Sequence, residues 1–495
     1  MKISTTEDTE DAEGKSLQDT KADLSSGSSV SSAADISRFW STIRESLAGS
    51  HRDYTDGDIG RAILLLAIPM VLELSLESVF AVVDVFFVSR LGADAVATVG
   101  LTESMLTIMY AVLAGLSVGA MATVARRIGE KNPDGAARAA VQAIFLGVIV
   151  AIPTGIAGGL LAPRLLEMMG AGPGVLANAT YTRIMLGMNG VIVMLFLMNA
   201  VFRGSGDAAI AMRVLWLANA INICLDPCLI FGLGPFPRLG VVGASVATTT
   251  GRGIGVLAQF YWLSRGTGRV AIRREHIRFD PHIMLNMVRL SGSAVVQALV
   301  NTTSYVGLVR IIATFGSIPL AGYTIAIRMV IFAMLPSWGL SNAAATLVGQ
   351  NLGAKKPERA ETSVWRTAFY NMVFLGIVGF FFFAFAPQLV GAFTRDPDVA
   401  GYGIRCLRIV SSGFLFYAYG IVLTQAFNGA GDTLTPTVLN LLCFWLFEIP
   451  FAYLLARVLN VGPQGAFWAI ALAFSLLAAL SALLFRRGKW KLKRV

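Results

Sequence analysis

The chain has 495 residues, of which 55% are hydrophobic and only 14% charged, with a formal net charge of +10. Soluble domains hold about 45–50% apolar and about 25% charged residues, so this composition excludes an ordinary water-solvated fold and makes lipid the main solvent. Residues 1–57 are rich in Ser, Asp and Glu, with no apolar run before Ala62; they read as a disordered cytoplasmic tail without a signal peptide's apolar core. Twelve apolar runs long enough to cross a bilayer follow, at 61–89, 97–121, 139–163, 179–202, 209–232, 241–264, 284–313, 319–349, 362–390, 401–427, 434–457 and 464–485. The chain is therefore expected to be an all-α integral membrane protein. Its parts are an N-terminal lobe at 58–264, a cytoplasmic linker at 265–283, a C-terminal lobe at 284–486 and a basic tail at 487–495. The connecting loops leave no room for a soluble catalytic domain.

Basic residues set the orientation. Twenty-two of the 40 Lys and Arg fall in or beside the even-numbered loops and the C-terminal tail, against eight in or beside the odd-numbered loops. The positive-inside rule then puts both termini in the cytoplasm of a multi-pass cell-membrane protein. The net charge is mostly this topology signal, not a nucleic-acid footprint. The four cysteines lie inside spans, and Cys224 and Cys228 share a helix face with no His beside them, which argues against a metal site.

The two halves echo each other. FRGSGD at 202–207 returns 225 positions later as FNGAGD, and RRIGEKNP at 126–133 returns as QNLGAKKP at an offset of 224. RLGADAVA at 90–97 aligns with TFGSIPLA at 314–321, and GASVA at 243–247 with GAFWA at 465–469. Duplication of a six-helix unit gives both copies the same topology. Such parallel repeats are a transporter architecture with the substrate path between the halves; no filter-like loop or ring of charges marks a channel.

Three carboxylates interrupt the first span. At about 100° per residue, Glu77 lies about 40° and Asp84 about 20° around the helix from Glu73, so all three form one stripe. A lipid-facing Asp at mid-helix costs about 2.5–3.5 kcal/mol even on a lenient scale, so the stripe must face protein or water. Asp84, Asp226 of the fifth span and Thr248 of the sixth all lie about two turns from the outer ends of their helices, and Asn222 is one turn below Asp226. Carboxylate, amide and hydroxyl oxygens suit Na⁺; the same pair of acids also suits a proton, because repulsion and burial favour the neutral form of one of them.

IPMVLELS, VDVFFVSRLGADAVA, FRGSGD, INICLDPCLIFGLG, VVGASVAT, SNAAATLVGQNLGAKKPERA and FNGAGD, spread over about 60–485, together resemble the multidrug and toxic compound extrusion (MATE) family. The resemblance implies a twelve-helix, two-lobed monomeric antiporter that exports organic cations and other amphiphiles in exchange for Na⁺ or H⁺, without a cofactor. In the family's DinF-like branch the cation site matches Asp84, Asn222, Asp226 and a threonine after GAxxA, taken here as Thr248 with Thr249 as the rival. The NorM-like branch uses acids on the seventh and tenth spans, and here neither 284–313 nor 401–427 holds a carboxylate. A family proline matching Pro69 lets the first span bend; a static packing kink is the alternative.

Glu73 and Glu77 fall outside the family pattern. Their repeat mates are Gln297 and Asn301, so they read either as cavity-lining acids that bind a cationic amine or a proton, or as neutral acids bonded to a neighbouring helix. Tyr305, Tyr417 and Tyr419 are further cavity candidates by polarity. Glu448 reads as a structural hydrogen-bonder or a cavity residue, and Arg203, Asp207 and Asp432 as turn chemistry at the cytoplasmic rim. A flippase for lipid-linked intermediates would need a cationic cavity, where an acidic one is expected here. A passive pore would need no coupling ion, and no nucleophile–base or metal constellation points to an enzyme.

Overall fold

A lipid core offers no partner to a backbone amide, so each span has to close its hydrogen bonds internally as a helix. The computed structural model describes residues 40–50, 52–266, 268–493 and 495. Twelve helical units cross the molecule in turn: α1 (Ile59–Ser89), α2 (Ala93–Gly129), α3 (Pro133–Met168), α4 (Ala179–Gly187 with Asn189–Ser205), α5 (Ala208–Phe231) and α6 (Val241–Arg265) make the first lobe. In the second lobe come α7 (Pro281–Ala313), α8 (Ser317–Gly353), α9 (Pro357–Ala384), α10 (Pro397–Ser412 with Phe414–Ala430), α11 (Leu434–Val458) and α12 (Pro463–Arg486). Among the described residues nine straight helices and two bent pairs are long and apolar enough to cross a membrane. The twelfth, α6, carries Thr248, Thr249, Thr250 and Arg252 and is too polar to qualify by composition.

The repeat in the sequence is a repeat in backbone geometry. Helix α4 bends by 41° at Met188 and α10 by 56° at Gly413, at equivalent points of the two lobes. The FRGSGD and FNGAGD turns end these helices identically. Gly206 and Gly431 take left-handed φ of 92° and 83°, and the N–H of Asp207 and Asp432 reaches back to the carbonyls of Phe202 and Phe427 at 2.8 and 2.9 Å. This is the Schellman ending, which a Cβ would strain.

The lobes meet along α1, α2, α7 and α8, in the halves nearest the two chain termini. Small residues permit backbone contact there. A Cβ on Gly129 would stand 1.9 Å from the Gln350 carbonyl oxygen, and one on Gly339 would stand 2.7 Å from the Val71 nitrogen. The lobes are thus sealed at the termini end, and the cavity described below lies beyond that seal.

Part of the segment expected as a disordered tail over 1–57 is folded onto the lobes, and the basic tail is docked as well. Residues 1–39 lie outside the described residues, but 40–48 form a helix, docked through Ser46 Oγ on the Leu65 carbonyl at 3.0 Å and Arg61 on Glu45 at 2.6 Å. Tyr54 is buried, with its hydroxyl on the Gly206 carbonyl and the Arg269 guanidinium over its ring. The same segment then reaches the other lobe: Lys356 pairs with Asp56, and Arg359 binds the carbonyls of Gly57 and Asp56 at 2.8 and 2.9 Å. At the other terminus Trp490 is fully buried against Phe485, Lys493 pairs with Asp432 at 3.1 Å, and Arg126 of the first lobe binds the Lys493 carbonyl at 2.9 Å. What excludes disorder here is a supply of buried aromatics and paired charges, which composition alone does not reveal.

Candidate functional site

The α1 stripe faces inward, against α4, α5 and α6, and each of its acids meets different partners. Nearest the seal, Glu73 is 2% exposed; it accepts from Asn199 Nδ2 at 3.1 Å and from Arg203 Nη1 at 3.4 Å. Asn199 is itself oriented by Gln259 Nε2 at 2.7 Å. One turn on, Glu77 accepts from Asn219 Nδ2 at 3.1 Å and Arg252 Nη2 at 3.5 Å, and Arg252 also reaches the Tyr110 hydroxyl at 3.3 Å. Two ion pairs therefore sit inside the first lobe, where a lone charge would be untenable.

At the third level the pattern changes. Asp226 is fully buried and neither of its carboxyl oxygens has a hydrogen-bond partner. Asp84 Oδ1 and Asn222 Oδ1 are likewise buried without partners, while Asn222 Nδ2 donates to Thr248 Oγ1 at 2.9 Å. Helix α6 can bring Thr248 this close because Gly251, one turn further, rides on the α5 backbone: a Cβ there would lie 2.5 Å from the Ala218 carbonyl oxygen. Buried polar oxygens are normally satisfied. Two carboxylates and an amide thus leave four buried oxygens without hydrogen-bond partners at this level. Glu103 on α2 adds a further carboxylate within electrostatic reach of Asp84, Glu77 and Arg252.

A cavity of about 520 Å³ opens between the lobes and runs into the second one. Gln297, Asn301, Tyr305 and Tyr417 line it, as the sequence leads one to expect. Glu73 and Glu77 are not among the lining residues, which corrects their cavity reading: each faces a neighbouring helix and is paired there with Arg203 or Arg252. Tyr419 is turned away, packed on Trp365 with ring centroids 6.3 Å apart. Arg203 is not simply turn chemistry at a rim, since it neutralises Glu73 and touches the cavity wall. Nor is the cavity an acidic one: Arg203 and Glu448 are the two charge-bearing side chains lining it, among amides such as Asn342, Gln425 and Asn428.

Sequence reasoning gave no role to Arg252 or Glu103 and gave Arg203 a different one. The usable signal was balance: an arginine inside a span calls for an acid inside a neighbouring one. Helix rotation decides which acid, and periodicity leaves that open for α4 and α6. Asp207 accepts the Arg269 N–H at 2.6 Å and anchors the linker, and Asp432 holds the C-terminal segment through Lys493.

Comparison with known proteins agrees with this architecture. The MatE family matches residues 69–228 and 293–454, once in each lobe and at the spacing of the repeat. The chain is similar to the probable multidrug resistance protein NorM of Thermotoga maritima, with 26% identity over 88% of this chain and 94% of that one. It is also similar to the multidrug export protein MepA of Staphylococcus aureus, with 21% identity over 86% of this chain and 92% of that one. Among solved structures, a multidrug resistance MATE family transporter in an outward-facing conformation superposes with a TM-score of 0.82 at 27% identity, covering 88% of this chain and 96% of that one. Duplicated sequence, twelve helices in two lobes, a cleft between them and a family match in each half lead to one assignment: the chain belongs to the MatE family of multi-pass membrane transporters.

Proposed function

We propose that this protein is a secondary active antiporter that exports amphiphilic or cationic small organic molecules in exchange for Na⁺ or H⁺, with the coupling ion bound by Asp84, Asn222, Asp226 and Thr248. The observation that carries the reading is the set of unpartnered buried oxygens on Asp84, Asn222 and Asp226, on the same lobe where Glu73 and Glu77 are each paired with an arginine. The relatives' names, multidrug resistance and multidrug export, support the substrate class.

In this reading both termini are cytoplasmic, the sealed end faces the cytoplasm, and the structure is outward-open. Helix α1 runs unbroken through Pro69 here, whose missing N–H leaves a soft point two turns below Glu77. Neutralising Asp84 and Asp226 changes what α1 packs against and bends it at Pro69. The ion and the substrate bind opposite states preferentially, which is what couples one gradient to the other. The protein works as a monomer in lipid, with lobes at 58–264 and 284–486.

Proteoliposomes with an imposed Na⁺ or H⁺ gradient test this. Gradient-driven movement of a fluorescent cation is expected in the wild type, and a loss of at least tenfold in Asp84→Asn and Asp226→Asn. Undiminished coupling in both variants would overturn the ion-site assignment, and transport indifferent to any gradient would overturn antiport itself.

A further inference from the structure

Glu448 is 3% exposed, lies on the cavity wall, and makes no ion pair among the described residues. Its Oε2 is 3.0 Å from Ser304 Oγ, and the same Ser304 oxygen is 3.1 Å from the Phe444 carbonyl. A hydroxyl carries a single proton. Between two acceptors it satisfies only one, and a carbonyl and a carboxylate are both acceptors. The geometry closes when the acid itself carries a proton: Glu448 Oε2–H donates to Ser304 Oγ, and Ser304 donates to Phe444.

The backbone reinforces this arrangement. Residues Leu441–Glu448 are π-helical, and Pro450 just beyond lacks the N–H that would continue an α ladder. Such wide turns gather at functional sites. The titratable groups around Glu448 are few. Helix α7 presents Tyr305, α8 presents Tyr323, α10 presents Tyr417 and Cys406, and α11 itself presents Cys443; α12 holds no acid or base before Arg486. Arg328 of α8 acts on Tyr305, and Arg203, the other charged wall residue, is held by Glu73.

We propose that Glu448 is a second, substrate-facing acid of this transporter, protonated when the cavity holds no cation and ionised when a ligand's cationic centre docks against it. Resting on the antiport reading above, this names the residue that recognises positive charge in the second lobe. Docking breaks the Glu448 O–H bond, the proton leaves to cleft water, and the carboxylate pairs with the incoming cation, so charge balances. The aromatic walls, with Tyr305 and Tyr323 stacked at 6.5 Å and Tyr417 against Phe474 at 4.4 Å, suit a flat aromatic cation carrying one charge. One proton is exchanged here without any change at Asp84 or Asp226.

Full-length protein in nanodiscs, titrated with ethidium in weakly buffered solution containing a pH dye, tests the assignment. Wild type should bind with release of up to one proton, and Glu448→Gln should bind at least tenfold more weakly and release none. The Gln amide can donate to Ser304 as the protonated acid does, so this variant is expected to fold, and Glu448→Asp should restore part of the proton release. Infrared spectra of the ligand-free protein supply a ligand-independent readout: a protonated-carboxyl C=O band at neutral pH that Glu448→Gln removes. Unchanged binding and proton release in Glu448→Gln, or no such band, overturns this proposal and leaves the antiport reading standing. A wild type that binds no ethidium likewise overturns this proposal, while the antiport reading falls only if the proteoliposome assay shows transport indifferent to any gradient.

Discussion

At the scale of single residues, the first lobe separates neutralised acids from unneutralised ones. Breaking a buried pair by removing one partner costs about 3–5 kcal/mol, because the other charge is stranded. Arg203→Met should therefore lower the apparent melting temperature in detergent sharply, and adding Glu73→Gln should recover most of it. The Glu77 side chain is 33% exposed, so Arg252→Met should cost less through Glu77 alone; solvent screens part of that loss. A melting profile in which both single variants match the wild type would show that neither pair is formed. Depth along α5 and α6 already set Asn222 beside Thr248 in the sequence, and the two are 2.9 Å apart; the ion site built on them with Asp84 and Asp226 is the proposal above. The pairing of Arg203 and Arg252 was not legible there, since their partners lie 130 and 175 positions away and it depends on how α4 and α6 rotate about their own axes.

Among elements, the informative ones are those that the repeat makes comparable. Arg203 corresponds to Asn428, and Glu73 and Glu77 to Gln297 and Asn301. The second-lobe members of these three correspondences all line the cavity; of the first-lobe members Arg203 does so too, while Glu73 and Glu77 are held in charge pairs. Duplication announced that the faces are equivalent; it did not announce that the two acids of one would be paired with arginine. The same helices close the inner seam. Gly129→Ala should wedge α2 from α8, since its Cβ would overlap the Gln350 carbonyl. The expected result is greater labelling of a cysteine introduced at Thr346, a buried seam position, by a membrane-impermeant thiol reagent from the termini side. Labelling equal to that of the parent cysteine protein would show that the seam has room to spare. The order of the spans was readable from apolar runs, but their ends shift by several residues, 97–121 becoming Ala93–Gly129; the matched bends at Met188 and Gly413 were not readable, because Met188 has no helix-breaking chemistry of its own.

For the whole molecule, the terminal segments matter most. Residues 50–58 bind Arg269 on one side and Lys356 and Arg359 on the other, so separating the lobes at this end strips contacts from one of them. Lys356→Ala with Arg359→Ala should raise the rate at which the sealed end opens, measured by single-molecule distance changes between dyes on the two lobes. These are largely exposed pairs, individually worth about 0–1 kcal/mol, so the change in rate should be severalfold, not larger, and should shrink in high salt. Acid should loosen the docked helix as well. Burial works against ionised Glu45, but hydrogen bonds from Arg61 and Ser50 and the charge of Arg52 prevail and hold its carboxyl below the ordinary value of 4.5. A depressed carboxyl stabilises above its unfolded value and loses that contribution as pH falls from about 4.5; proteolytic nicking near 40–58 should increase over that range.

The arginine pairs have a further consequence, in the currency of voltage. A membrane potential does work on moving net charge, about 2.3 kcal/mol per elementary charge per 100 mV. Glu73 with Arg203 and Glu77 with Arg252 are neutral as pairs, so a motion that carried them through the field would draw no work from these two acids, unlike Asp84 and Asp226, which have no arginine partner among the described residues. A lobe with the same acids and no arginines would drag two more negative charges through the field in that motion, and its turnover would rise and fall with the cell's membrane voltage.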